Sequence, residues 1–239
     1  EYAKRLVNQG MILGNSAFIY RKSGSSEYFS KNLINNIDVD RVRIDIKYVN
    51  GEDEVDIDGL KKEDKDFNNA SFNFDNGRFE CIREQEKMSK SKFNVVNPDE
   101  ICDQYGADTL RMYEMFLGPI EQSKPWDTRG ISGVYSFLKR FWNLFFEDDK
   151  LTLTEDMPSE ESLKSLHKTI KKITEDIEKL SLNTCISSFM ICINELSALK
   201  CNNRLILEQL LVLISPFAPH FAEELWSQIG NTKSIIDEK

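Results

Sequence analysis

The sequence predicts an α+β chain that is mostly α, with a β-rich segment near the N-terminus and a helical bundle after it. Three observations carry this prediction. Alternation of apolar and polar residues is confined to the N-terminal part, where Asn-Gly pairs separate the runs. From Asn97 onward, apolar residues recur at spacings of three and four, the pattern of one helix face. The connections there are short and marked by Pro and Gly, as between neighbouring helices of a bundle.

Taken in order, Tyr2, Leu6, Val7 and Met11 are spaced for an amphipathic helix, and the apolar Ala17 to Arg21 for a strand. "RVRIDIKYV" sets Val42, Ile44, Ile46 and Tyr48 on one face, and Asn50-Gly51 followed by Val55 and Ile57 completes a hairpin. A second hairpin turns at Asn76-Gly77, between Phe72 and Phe74 on one side and Phe79 and Cys81 on the other. Residues 24–85 therefore read as a small β-rich insert. Asn97-Pro98 starts a helix, Gly106 breaks it, Ala107-Asp108 restarts it and Gly118-Pro119 stops it. Val134, Phe137, Leu138, Phe141, Trp142 and Phe145 trace the next stripe. Pro158-Ser159 opens a helix whose seam, Leu163, Leu166, Ile170, Ile173, Ile177 and Leu180, reads as core, with His167 packing at its boundary. "NTCISSFMICINELSAL", "NRLILEQLLVLIS" and "PFAPHFAEELWSQIG" supply three more helices, so residues 129–230 form a bundle of about five.

The composition narrows the function classes. A net charge of −9 repels polyanions unless basic residues gather on one face, so any nucleic-acid contact must be local. Cys81, Cys102, Cys185, Cys192 and Cys201 are odd in number and contain no CxxC pair, which argues against a disulfide framework and a zinc site. No metal ligands are assigned, and a reducing cytoplasm is the expected compartment. No apolar run approaches the roughly 20 residues that span a bilayer. The chain opens at Glu1 in mid-element, as a piece cut from a larger protein would.

Lys87, Lys90 and Lys92, with Ser89 and Ser91 between them, stand between the second hairpin's outgoing strand and the helix start at Asn97-Pro98. Lysine places a compact charge on a long stem, suited to following a phosphate whose charge develops during a reaction. The plain alternative is a solvated loop that keeps a sheet edge soluble.

The order of residue types speaks against the plain alternative. "KMSKS", Lys87 to Ser91, resembles the second signature of the class I aminoacyl-tRNA synthetases. "NPDEICDQYGADTLRMYEMFLGPIEQSKPWD" is similar to the leucine enzymes of that class, as are "LVNQGMILG" and "FAPHFAEELW". The resemblance implies that the lysine loop closes over ATP. It makes Lys90 the residue that neutralises the triphosphate while an amino-acid carboxylate attacks the α-phosphate, with Lys87 in support. Lys87, Met88, Ser89, Lys90 and Ser91 become the expected ATP-binding residues, with Mg2+ implied by the family. It also implies a division into residues 1–23 (remnant of a Rossmann-like catalytic domain), 24–85 (an insert at the leucine-specific-domain position), 86–128 (lysine loop and connecting helices) and 129–239 (an anticodon-binding-type bundle). Phe93 departs from the pattern, since many relatives carry Gly or a polar residue there.

The first signature of the class, a His-x-Gly-His, is absent: the only histidines are His167 and His220. The expectation is therefore a fragment of a leucine–tRNA ligase, inactive alone and monomeric, whose parent acts on leucine, ATP and tRNA(Leu). A stand-alone RNA-binding module and a ligase for another aliphatic amino acid are the competing readings. Lys164, Lys168, Lys171 and Lys172 fall opposite the aliphatic seam, and Lys139-Arg140 edge the preceding stripe. These are the candidate tRNA contacts, against the alternative of an ordinary solvated face.

Overall fold

Strand β1 (Ile12–Lys22) runs through the middle of a six-stranded sheet, and its buried stretch Ser16–Tyr20 explains why it sits there. A strand covered on both faces needs ladder partners along both edges. In the computed structural model, which describes residues 6–238, β3 (Val39–Ile44) pairs antiparallel along one edge of β1, Ala17 opposite Ile44 and Lys22 opposite Val39. Strand β5 (Ile82–Lys87) pairs antiparallel along the other, from Leu13 opposite Lys87 to Phe18 opposite Ile82. The short β2 (Glu27–Phe29) joins the far end of β1 and carries β4 (Ser71–Asn73) in parallel, while β6 (Lys124–Pro125) lies parallel to Ile12 and Leu13. With helix α1 (Ile57–Glu63), these strands make one compact unit, residues 11–96 and 123–126. Its core contains Ala17, Ile19, Ile44, Leu60, Phe79 and Cys81.

The strand from Ala17 to Arg21 is present and longer than expected, but the opening helix is not: residues 6–11 lack helix, Leu6 is exposed, and Tyr2 lies outside the described residues. The first hairpin also needs correction. Alternation ends at Ile44 because the Asp45 carboxylate accepts the Lys47 N–H at 3.0 Å and turns Ile46–Tyr48 into a single 3-10 turn. Asp56 then caps Gly59 at 3.0 Å, so Ile57 begins α1 rather than continuing a strand. Only the Val49–Val55 bridge of that hairpin survives. Asn76 (φ 48°) and Gly77 (φ 80°) do form the expected tight turn, closed by the Asp75–Arg78 bridge, but the arms of the predicted hairpin part beyond it: β4 pairs with β2, and Glu80 bridges Glu54.

The second unit, residues 6–10, 97–122 and 127–238, is helical. Helix α2 (Pro98–Tyr105) starts where the Asn97 side chain accepts the Asp99 N–H, and Gly106 at φ 86° separates it from α3 (Ala107–Phe116). Helix α4 (Thr128–Trp142) buries Ile131, Val134, Phe137 and Phe141 completely, each contributing roughly 1.5–3 kcal/mol of transfer free energy. Phe145, just past its end, is equally buried and packs on Phe141. A two-strand ribbon, β7 (Phe146–Glu147) and β8 (Lys150–Leu151), leads to α5 (Glu160–Glu178), capped by Ser159. Helices α6 (Leu182–Ala198), α7 (Arg204–Ile214) and α8 (Pro219–Gln228) complete the five expected after residue 128. The mostly α fold with a smaller β part is thus as the sequence predicts.

Helix α5 is rotated from its predicted seam. Leu166 and Ile173 are buried, but Leu163, Ile170 and Leu180 are half-exposed and Ile177 is 39% exposed. The buried line runs instead through Ser162, Ser165, Leu166, Thr169, Ile173 and Asp176. Small hydroxyl-bearing side chains allow close approach to α6 and hydrogen-bond across it: Ser165 Oγ donates to Glu195 at 2.6 Å, and Thr184 Oγ1 donates to Asp176 at 2.6 Å. His167 is exposed by the same rotation, not at a packing boundary.

Candidate functional site

The lysine loop leaves the sheet at the end of β5. The ladder stops at Lys87, and residues Lys90–Lys92 form one 3-10 turn ending at Phe93. Phe93 adopts φ 50° and ψ 35°, a left-handed conformation that costs a residue with a Cβ about 1–2 kcal/mol. Its carbonyl accepts the Ile46 N–H at 3.0 Å, which holds the turn against the 3-10 segment after β3. The residue is 52% exposed and shapes the loop through its backbone.

Beneath the loop lies Asn94, 1% exposed. Its Oδ1 accepts the Ser89 N–H at 2.9 Å, and its Nδ2 donates to Ser16 Oγ at 3.0 Å and to the Lys87 carbonyl at 3.4 Å. Gly14 is needed here: a Cβ at that position would stand 2.3 Å from the Asn94 carbonyl oxygen and 3.0 Å from Met88 Cγ. Met88 is half-buried over that glycine, and Ser89 Oγ lies 2.9 Å from Ser91 Oγ.

The charges of the loop divide. Glu86 accepts from Arg43 at 2.5 Å and from Lys92 at 2.9 Å. Arg43 first, then Ser16 and Lys92, hold its carboxyl down to about 2. Lys92 is therefore neutralised in place. Lys87 and Lys90 are exposed, and neither forms an ion pair among the described residues. Two free ammonium groups at the rim of an anchored turn can attract a polyanionic ligand and follow it. The sequence picked out the five loop residues, but not Asn94, Ser16, Glu86 or Arg43. The only local hint was an amide-bearing residue between bulky neighbours in "KFNVV".

On the helical unit, all four α5 lysines are exposed, but they are not equivalent. Lys172 is 2.7 Å from Asp176, and Lys168 is 3.8 Å from Glu195. Burial pushes the Asp176 carboxyl up, but the bonds from Lys172 and Thr184 outweigh it and leave it lowered. Lys164 and Lys171 have no ion pair among the described residues. Lys139 lies 4.4 Å over the Tyr135 ring, at a cleft of about 400 Å³ lined also by Tyr105, Trp142 and His220. Arg140 borders a separate cleft of about 540 Å³.

His220 Nδ1 is 2.9 Å from Asp108 Oδ1, and Asp108 Oδ2 accepts the Phe221 N–H at 2.6 Å. The carboxylate of Asp108 serves the start of α8, and the exposed His220 ring lies against it. No helix among the described residues is long and apolar enough to cross a membrane, and no three His, Cys, Asp or Glu side chains among them converge as metal ligands.

Comparison with known proteins adds the following. The model for the anticodon-binding domain of tRNA ligase matches residues 160–239, and that for tRNA synthetases class I (I, L, M and V) matches residues 81–127. The chain is 57% identical to a leucine–tRNA ligase of Christiangramia forsetii over 99% of its length, and 58% identical to one of Flavobacterium psychrophilum over 97%. It is 54% identical to one of Parabacteroides distasonis over 99%. The chain spans about a quarter of the length of these relatives. Among solved structures, the LeuRS of Agrobacterium radiobacter K84, in a ternary complex with tRNA and LeuAMS, aligns at 26% identity and a TM-score of 0.53. That alignment covers 69% of this chain and 23% of that one.

Proposed function

Since this chain belongs to the class I aminoacyl-tRNA synthetases, we propose that it is a segment of a leucine–tRNA ligase that supplies the mobile half of the ATP site and a helical surface for tRNA(Leu). The observation that carries this reading is the division of charge on the loop. Lys92 is neutralised by Glu86, whereas Lys87 and Lys90 stand exposed at the rim of an anchored turn.

In the reaction, a leucine carboxylate attacks the α-phosphate of ATP and pyrophosphate leaves. Charge accumulates on the nonbridging and leaving oxygens as the bonds change, so an ammonium brought against them stabilises the transition state more than bound ATP. Lys90 is the residue assigned to that charge, with Lys87 in support. Ser89 and Ser91 donate to phosphate or backbone, and Met88 seats the loop on the sheet. Mg2+ accompanies the nucleotide in this family. The described residues form no ligand cluster for it.

Lys139, Arg140, Lys164, Lys168, Lys171 and Lys172 are the candidate phosphate contacts for tRNA. Contacts of this kind position an RNA without reading its sequence. Lys164 and Lys171 lead, because Lys168 and Lys172 already have acidic partners. The proposed compartment is the cytoplasm, and the proposed state is monomeric.

The test is leucine-dependent ATP–pyrophosphate exchange. The full-length protein is expected to catalyse it with leucine ahead of isoleucine, valine and methionine, and the 239-residue chain alone is not. Exchange driven best by another amino acid, or full activity from the isolated chain, would overturn the reading.

A further inference from the structure

Asn94 does something for the lysine loop that no strand does. The β5 ladder ends with Lys87 opposite Leu13, so beyond that point the backbone of Met88 and Ser89 has no neighbouring strand on that register. The Asn94 side chain takes the place of one. A parallel neighbour would bridge a residue by donating to the carbonyl before it and accepting from the N–H after it. The Asn94 amide makes that pair of contacts across Met88, to the Lys87 carbonyl (3.4 Å) and the Ser89 N–H (2.9 Å). Its orientation is set by a third contact, to the fully buried Ser16 hydroxyl on β1. The buried amide is thus pinned at both ends: one oxygen, one acceptance; one nitrogen, two donations.

We propose that Asn94 is a positioning residue for ATP activation, resting on the function assigned above: its amide extends β5 by one bridge and fixes the phase in which Lys87 and Lys90 leave the sheet. The side chain of a residue after a strand end swings through a large arc when the last peptide rotates. Fixing the peptides on both sides of Met88 holds Lys87 in place and sets the starting direction of the turn that carries Lys90. Displacement of a catalytic group by about 1 Å costs on the order of 10²-fold in rate. Asn94 itself lies below the loop and touches no nucleotide in this account.

Two measurements test this. In the wild-type chain, amide hydrogen exchange resolved by NMR is expected to show Ser89 protected at least tenfold over Ser91, because Ser89 N–H has the Asn94 acceptor and Ser91 N–H has no acceptor among the described residues. Equal exchange at the two positions would overturn the proposal without any variant having to fold. In the full-length ligase, Asn94→Ala is expected to lower kcat for pyrophosphate exchange on the order of 10²-fold per titrated active site, with the KM for leucine unchanged. Asn94→Asp, which keeps the acceptor for Ser89 but loses both donations, should fall between. A loss confined to the amount of folded enzyme, with wild-type kcat per active site, would also overturn it. Should the wild-type full-length protein show no leucine-dependent exchange, the function assignment fails, and Ser89 protection alone decides the role of Asn94.

Discussion

Removing Asp108 should loosen α8 from a distance of more than 100 residues in sequence. Helix α8 begins with Pro219, and its N-cap is Ala218, which has no side-chain acceptor. The Phe221 N–H in its first turn is accepted by Asp108 Oδ2, from α3, at 2.6 Å, and Asp108 is only 7% exposed. Losing an N-cap acceptor costs about 0.5–2 kcal/mol. Leaving a buried donor unsatisfied costs about 1–3 kcal/mol. These overlap, and the donor is only partly buried, so Asp108→Ala should cost roughly 2 kcal/mol. The His220 contact adds little, because that side chain is 78% exposed and such pairs contribute about 0–1 kcal/mol. With a denaturant slope of about 2 kcal/mol per M, the helical transition followed by circular dichroism in urea should move down by about 1 M. Asp108→Asn, which keeps an acceptor without the charge, should move it about half as far, and His220→Ala hardly at all. A His220→Ala shift as large as that of Asp108→Ala, or no shift for Asp108→Ala, would refute the assignment of the cap to the carboxylate.

Three further outcomes are expected. Glu86 is held at about 2 in the fold, below its usual 4.5, so its contribution is present above pH 4.5 and lost as pH falls toward 2. Acid unfolding curves of wild type and Glu86→Gln should therefore converge across that window and differ above it; parallel curves would count against the Arg43–Glu86–Lys92 cluster. In the full-length protein, Lys90→Ala should lower kcat for pyrophosphate exchange by about 10²–10³-fold, as removal of one transition-state donor does elsewhere. Lys92→Ala should change it far less, and a reversed order would reassign the charge. Lys164→Glu and Lys171→Glu should each weaken tRNA binding and reduce its salt slope by about one. Filter binding across a salt series that gives the wild-type slope would remove both from the surface. Lys172→Glu is the poorer probe, since it would set an acid beside the buried Asp176.

Much of the helical part was legible because the signals are local. Asn97-Pro98, Gly106 and Ser159 mark helix ends through their own side chains or dihedrals, and the α4 stripe needs no partner to be recognised. The β part was less legible. The alternation through Tyr48 is real, but the Asp45 carboxylate offers the backbone a turn that the pattern does not reveal. On α5, hydropathy favours the leucines and isoleucines, while the fold buries serines and a threonine, because small side chains and hydrogen bonds to α6 decide the contact. The lysine loop was legible by the order of its residues. Its socket was not, since Asn94 acquires a role only when Ser16, 78 residues earlier, and Gly14 are brought beneath it.

The polar face of α5 also acts as a gauge. Paired polar groups specify the register of two packed helices more sharply than aliphatic side chains alone. Here Ser165 meets Glu195 near one end of the contact, and Asp176 meets Thr184 near the other. A slip of one turn would break both marks at once and strand a nearly buried acid, a loss of several kcal/mol. The pair therefore has one length setting, and the exposed lysines of α5 stand at one fixed height relative to α6.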